Sequence, residues 1–431
     1  MKKSSVFAPV SQLGRSYFLL FAAGVLSDLG GFTTQTALVL HVYRLTGQNA
    51  AFMGLMALAT LVPMVLAAPV GGVWAEKYNR RFIMVINDLL RIPLVLLMMF
   101  TESVAVLLLL QALVCASTAL FMPSRQTIIP EVVHPDRLQL ANALSGGVLS
   151  IVHILGPALG ALLYARSGSL RSVVYIEAAS YLFSAVLLYH LRTPLRPRTS
   201  DSDTPRGLWA DIKHGLLYVR AEPDLWQIFM ILVTAGMAIG LLIPLLRPFI
   251  AEVLSGNDHT YAMLIGCFGA GGLLGPLCGY WAGRRLGLGL TLTLCFVLEP
   301  LTLMVWSRIS SVTGSAALLF LWGVNVFAMI PCYTSYLHTY ARREYMGRTF
   351  ALFDQSTYAP QILAAILVAV LGNRLPTQNF LTGAGAGYLL IVLLTFGTAG
   401  ARLLRSRAGQ SSITELPLTV PSESATSARP E

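Results

Sequence analysis

Seven ionisable residues fall inside the long apolar runs of this 431-residue chain: Asp28, Asp88, Arg91, His153, Glu177, Glu299 and Asp354. A charge placed in a hydrocarbon environment is expensive, so each is a candidate for function, and the chemistry open to the carboxyls is proton uptake and release. Asp28 ranks first, in Ser27-Asp28-Leu29-Gly30-Gly31, because no opposite charge lies within one helical turn of it. That spacing leaves an unpaired carboxyl free to load a proton. Asp88 and Arg91 are three residues apart and share a helix face, so their simplest role is mutual neutralisation. Glu177 and Glu299 fall in the outer halves of their runs, where they would bind a cationic group or a proton, or face water in a cavity. His153 is a lone imidazole and reads more readily as a packing histidine than as a proton relay.

The elements that must position these groups follow from composition. The chain is 55% apolar and only 12% charged, with a mean hydropathy of +0.68. An ordinary soluble domain carries about a quarter charged residues. An all-α integral membrane protein is expected, because the apolar runs are long and continuous rather than alternating segments of about ten residues, as a transmembrane barrel would show. Runs near 17–42, 50–75, 82–101, 104–124, 140–165 and 172–191, then 226–247, 260–282, 288–307, 312–337, 350–372 and 383–403, give 12 transmembrane helices in two six-helix halves. The first half is 1–191, the second 226–405. Between them 192–225 begins polar and Pro-rich and continues into an amphipathic helix with Leu208, Trp209, Ile212, Leu216 and Val219 on one face. The Ser/Thr/Pro/Glu-rich segment 406–431 reads as a disordered tail.

The net charge of +10 is dispersed between apolar runs with no basic stripe, which argues against nucleic acid and for topology. With the N-terminus inside, roughly 23 of the 30 Lys and Arg residues lie on the cytoplasmic side, so both termini are expected there. Cys115, Cys267, Cys278, Cys295 and Cys332 show no metal or redox spacing and read as small core residues. No phosphate-binding loop, zinc motif or nucleophile elbow is present, so neither an enzyme nor a bound cofactor or metal is expected.

An internal repeat joins the halves. Pro69, Gly72, Trp74, Ala75 and Lys77 are matched by Pro276, Gly279, Trp281, Ala282 and Arg284, an offset of 207. Pro123 and Pro331, and Ala143-Leu144 and Ala351-Leu352, repeat at 208. Parallel halves of this kind place a substrate site at their interface.

The segment Gly72-Val-Trp-Ala-Glu76-Lys77-Tyr-Asn79-Arg80-Arg81 resembles the loop signature G-x-x-x-D-[R/K]-x-G-[R/K]-[R/K] of the major facilitator superfamily, with Glu for Asp and Asn for Gly. Asn79 would tolerate the left-handed backbone that Gly usually takes. Gly72 is expected to let two helices approach closely, and Glu76 to sit against a helix N-terminus or an arginine as a latch that breaks when the halves rock. Gly147, followed after eight residues by Gly156-Pro157-Ala-Leu-Gly160, is similar to the antiporter signature of proton-coupled drug exporters, with small residues packing the halves together. Asp88-Leu-Leu-Arg91, Phe121-Met-Pro123 with Ile129-Pro130-Glu131, and Ala141-Asn-Ala-Leu144 resemble macrolide efflux pumps and some siderophore exporters. The resemblance implies a proton-driven exporter of an amphipathic small molecule in a bacterial inner membrane, working as a monomer with the bilayer, its substrate and protons as partners. Uptake, lipid flipping and a non-transporting sensor are the competing readings.

Overall fold

The computed structural model describes residues 13–134, 137–191, 216–340 and 346–405. Twelve long helices organise them: α1 Arg15–Leu45, α2 Ala50–Lys77, α3 Arg80–Leu97, α4 Val104–Val132, α5 Leu138–Ser167, α6 Arg171–Tyr189, α7 Pro223–Glu252, α8 Asp258–Leu286, α9 Leu288–Trp306, α10 Val312–Tyr340, α11 Met346–Leu371 and α12 Thr377–Arg405. Among the described residues there is no strand. Helices are what an apolar chain must form in lipid, since each then satisfies its own backbone polar groups. Eleven are long and apolar enough to cross a bilayer, and the remaining one, α11, contains the shorter apolar stretch Ser356–Leu371.

The spans expected from hydropathy match these helices, with one consequential departure. The fourth expected run ends at 124, before Arg125, whereas α4 continues through Pro123 and Pro130 to Val132. Proline inside a transmembrane helix is tolerated because neighbours and Ser/Thr hydroxyls satisfy the freed carbonyls. Here the Thr127 hydroxyl donates to the Pro123 carbonyl at 2.7 Å. The extension draws Arg125 into the helix bundle.

Helix starts are written in asparagines: Asn49 accepts from the Ala51 N–H, Asn79 from the Arg81 N–H, and Asn257 closes a capping box with Thr260. Asn79 therefore corrects an expectation. Its φ is −64°, ordinary extended backbone, so it serves as a cap rather than as a left-handed substitute for glycine.

In the first half α1 packs on α5 and α6, α3 on α4 and α6, and α2 on α4; the second half repeats this pattern as α7 on α11 and α12, α9 on α10 and α12, and α8 on α10. The halves meet where α5 lies along α8 and α2 along α11. Glycine placement explains the tight crossings, although two expectations fail. It is Gly71 that faces α4, with the Ala119 carbonyl and Leu120 Cα where a side chain would stand, while Gly72, one residue and about 100° further round the helix, faces open space. Gly156 and Gly160 are filled by Phe32 and the Thr33 backbone, so they join α5 to α1 within one half, and Gly147 meets nothing. Between the halves, α5 instead inserts Ile154 against Gly269 and Gly272 of α8.

Residues 192–215, with Leu208, Trp209 and Ile212 of the expected amphipathic segment, and the tail from 406 lie outside the described residues. The described remainder of that segment, 216–221, is helical with Val219 buried and Leu217 exposed. All five cysteines are free. Cys115, Cys295 and Cys332 are buried as expected, whereas Cys278 is exposed on α8.

Candidate functional site

Asp28 is not unpaired. Arg125 of α4 reaches across to α1 and its Nη1 donates to Asp28 Oδ2 at 2.6 Å, with side-chain exposures of 13% and 10%. The expectation failed because counter-charges within one helix say nothing of an arginine on another, and because the expected fourth run stopped at 124, just short of Arg125 and eight residues short of the end of α4. Beside the pair, His153 of α5 presents its ring edge to Phe32 of α1, centroids 4.5 Å apart, and lies within electrostatic range of both Asp28 and Arg125. His153 therefore packs against Phe32 as expected, but it is exposed rather than a core residue. α1, α4 and α5 thus bring a carboxylate, a guanidinium and an imidazole to one locus, and α5 packs along α8 of the other half.

Deeper in the first half, Asp88 and Arg91 neutralise each other as their spacing implies, at 3.1 Å and with exposures of 0% and 2%. The Ser184 hydroxyl of α6 donates to Asp88 Oδ2 at 2.6 Å, and Arg91 Nε donates to the Ser117 hydroxyl of α4 at 3.2 Å. Ser117 in turn donates to Asn87. The guanidinium also lies against the rings of Phe121 and Tyr181, 5.0 and 5.3 Å from their centroids. This network ties α3, α4 and α6 together, with Arg91 Nη2 its one donor left without a hydrogen-bond partner, and suits a structural role.

Glu177 and Glu299 do not face water, since each is 2–3% exposed. Tyr181 donates to Glu177 Oε1 at 2.8 Å within α6, and Tyr388 of α12 donates to Glu299 Oε2 of α9 at 2.8 Å. The two tyrosines are 207 residues apart, the offset of the internal repeat, and so are Pro93 and Pro300 in α3 and α9. At that offset Asp88 and Arg91 correspond to Cys295 and Leu298. The second half therefore keeps the buried tyrosine and loses the ion pair. These tyrosines were legible as a sequence repeat, had the comparison been extended beyond the loops.

The loop-signature residues gather where α2 ends and α3 begins. Arg80 pairs with Glu131 of α4 and donates to the Ala75 carbonyl at 2.9 Å. Arg81 donates to the Leu191 carbonyl at 3.1 Å and lies over the Tyr189 ring. Lys77 closes α2. The side chains of Glu76 and Asp354 are outside the described residues.

At the opposite end of the helices the halves are clamped. Asp258 at the start of α8 accepts from Arg44 Nη2 of α1 at 2.8 Å and from Arg247 Nη2 of α7 at 2.9 Å. Arg44 also lies over Tyr164, and Arg247 over Tyr43. Nearby, Asn373 donates to Asn49 at 2.6 Å. Arg44 and Asp258 are 214 residues apart, and Arg247 and Asp258 lie on different helices, so neither pair leaves a periodic trace in the sequence. Among the described residues no group of three or more His, Cys, Asp or Glu residues is placed to hold a metal.

The Major Facilitator Superfamily model matches residues 20–365. The multidrug efflux pump Tap of Mycobacterium tuberculosis (strain ATCC 25618 / H37Rv) is 25% identical over 378 residues, covering 84% of this chain and 88% of the pump. Macrolide efflux protein A of Streptococcus pyogenes is 21% identical over 395 residues, 88% of this chain and 94% of that protein. Among solved structures, the nucleoside transporter NupG superposes with a TM-score of 0.69 at 12% identity, covering 88% of this chain and 98% of that one. That likeness is one of fold.

Proposed function

This chain belongs to the major facilitator superfamily and is a multi-pass membrane transporter rather than an enzyme, and we propose that it exports an amphipathic small molecule in exchange for protons. The observation that carries the reading is the Asp28–Arg125 pair, an ionisable couple on two helices beside the interface of the halves. The names of its relatives, a multidrug efflux pump and a macrolide efflux protein, support export over uptake. A drug, an antibiotic or a siderophore-like metabolite fits the expected substrate class.

With both termini in the cytoplasm of a bacterial cell, as the distribution of Lys and Arg favours, the Arg44 end faces outward. The Asp258 clamp then closes the outer side, and the conformer is the one that loads from within. Charged Asp28 holds Arg125. A proton delivered to Asp28 removes the charge that holds the guanidinium, and substrate bound beside Phe32 and His153 competes with that proton. Alternating occupancy of one locus is antiport. Rocking then proceeds about the α5–α8 and α2–α11 contacts, opening the clamp on one side while Arg80 and Glu131 keep α3 and α4 together on the other. The remaining candidates divide by role. Asp88 and Arg91 hold the first half together, and Glu177 and Glu299 are buried acids under tyrosines, secondary to Asp28.

Purified protein in liposomes tests the reading with a labelled macrolide and a pH gradient acid on the side that exports. Accumulation that collapses with the gradient supports proton-driven export. Accumulation on the opposite side would mean uptake, movement of labelled lipid without macrolide would mean a flippase, and neither movement would leave a sensor.

A further inference from the structure

We propose that Gly24 is a positioning residue for the coupling pair: its bare backbone is the seat on which the Arg125 guanidinium lies to reach Asp28. The inference rests on the coupling role given above to Asp28 and Arg125. Gly24 and Asp28 are four residues apart on α1 and so share a face, one turn above the other. A Cβ at Gly24 would stand 2.6 Å from Arg125 Cζ, 2.7 Å from Nη2 and 2.8 Å from Nε. All three neighbours belong to one guanidinium, so its plane is laid against the helix at Gly24 while Nη1 extends to Asp28.

This differs from three other close glycines of the first half, and from Gly30 and Gly156, which meet the short Ser180 side chain and the Phe32 Cβ rather than the far end of a long side chain. At Gly54, Gly71 and Gly160 the space of the missing side chain is occupied by the backbone of another helix, so those glycines set how close helices come. At Gly24 it is occupied by the end of a flexible side chain. A methyl group there leaves the helix crossing untouched and displaces only the cation. Alanine also suits a helix interior better than glycine does. The expected product of Gly24→Ala is therefore a folded transporter whose Arg125 is lifted away from Asp28, with every ionisable group still present.

The test reads the state of Asp28 directly. A hydrophobic carbodiimide modifies membrane carboxyls in their protonated form, and an arginine held against Asp28 protects it. In the full-length protein in liposomes, modification of the Asp28 peptide is measured by mass spectrometry for the wild type, Gly24→Ala, Arg125→Gln and Gly31→Ala, each first shown to elute as a single species. Gly31 is the control, because its nearest neighbour, the Tyr181 hydroxyl, is 3.7 Å away, an ordinary contact. Arg125→Gln should raise modification, Gly24→Ala should raise it at least threefold towards that level, and Gly31→Ala should leave it unchanged. In an Arg125→Lys background, whose ammonium has no plane to seat, adding Gly24→Ala should change nothing. If Arg125→Gln raises modification and Gly24→Ala does not, the seat is overturned while the pair stands. If Arg125→Gln has no effect, the pair fails and the seat fails with it. An equal rise from Gly24→Ala with arginine or lysine at position 125 would mean a general disturbance of α1, and would also overturn the proposal.

Discussion

Asp88→Asn isolates the energetic meaning of the deepest ion pair. Asp88 is fully buried and Arg91 is 2% exposed, so neither partner has water to fall back on. Removing one member of a buried pair typically costs about 3–5 kcal/mol, because the other charge is stranded. Against a net stability of about 5–15 kcal/mol, that is a large share. At about 1.4 kcal/mol per decade, the ratio of folded to unfolded protein falls by roughly two to three and a half orders of magnitude. The Ser117 hydroxyl and the faces of Phe121 and Tyr181 remain around Arg91, but none of them neutralises it. Arg91→Leu should be milder, since a stranded carboxyl can take a proton whereas a guanidinium cannot lose one. The double variant Asp88→Asn/Arg91→Leu should recover most of the loss, with no charge left to strand. Thermal unfolding followed by size-exclusion chromatography in detergent ranks the four proteins. Asp88→Asn melting with the wild type, or the double variant melting below both singles, would refute the reasoning.

The Asp258 clamp should show a graded response. Arg44 is 53% exposed, so Arg44→Gln removes only about 0.2–1 kcal/mol of cross-half attraction and should shift the population of the conformer open at that end by less than about fivefold, as read from spin-label distances across it. Asp258→Asn should be more damaging to folded yield, because it also strands Arg247, whose side chain is 9% exposed. Gly71→Leu should destroy folded yield by forcing α2 from α4, while Gly72→Leu, facing open space, should be recovered at wild-type amounts.

The sequence carried the architecture well because its strongest signals are local or periodic. Apolar runs marked all twelve spans, the end of α4 being missed by eight residues, and the offset of 207 between the loops foretold that the α1–α6 packing would recur in α7–α12. Asp88 and Arg91 were found because both lie on one helix face. What stayed hidden depended on how helices turn towards each other. Arg125 looked like a cytoplasmic residue after Pro123, and only the continuation of α4 brings it to Asp28. Gly71 and Gly72 are indistinguishable as letters, yet a rotation of one residue decides which of them admits α4. Gly156 and Gly160 matched a signature associated with contact between halves, and the structure turns them to α1. The Asp258 clamp joins residues from α1, α7 and α8 that no spacing rule connects.

Proton movement driven by substrate, compared between the wild type and Asp28→Asn, tests the central claim most directly. In liposomes holding an internal pH indicator, adding macrolide to the loading side of the wild type should move protons in the opposite direction. Asp28→Asn should still bind macrolide but move no protons, because asparagine cannot carry one between the two access states. Substrate-driven proton movement of wild-type size in Asp28→Asn would contradict the account, and would transfer the coupling role to Glu177 or Glu299.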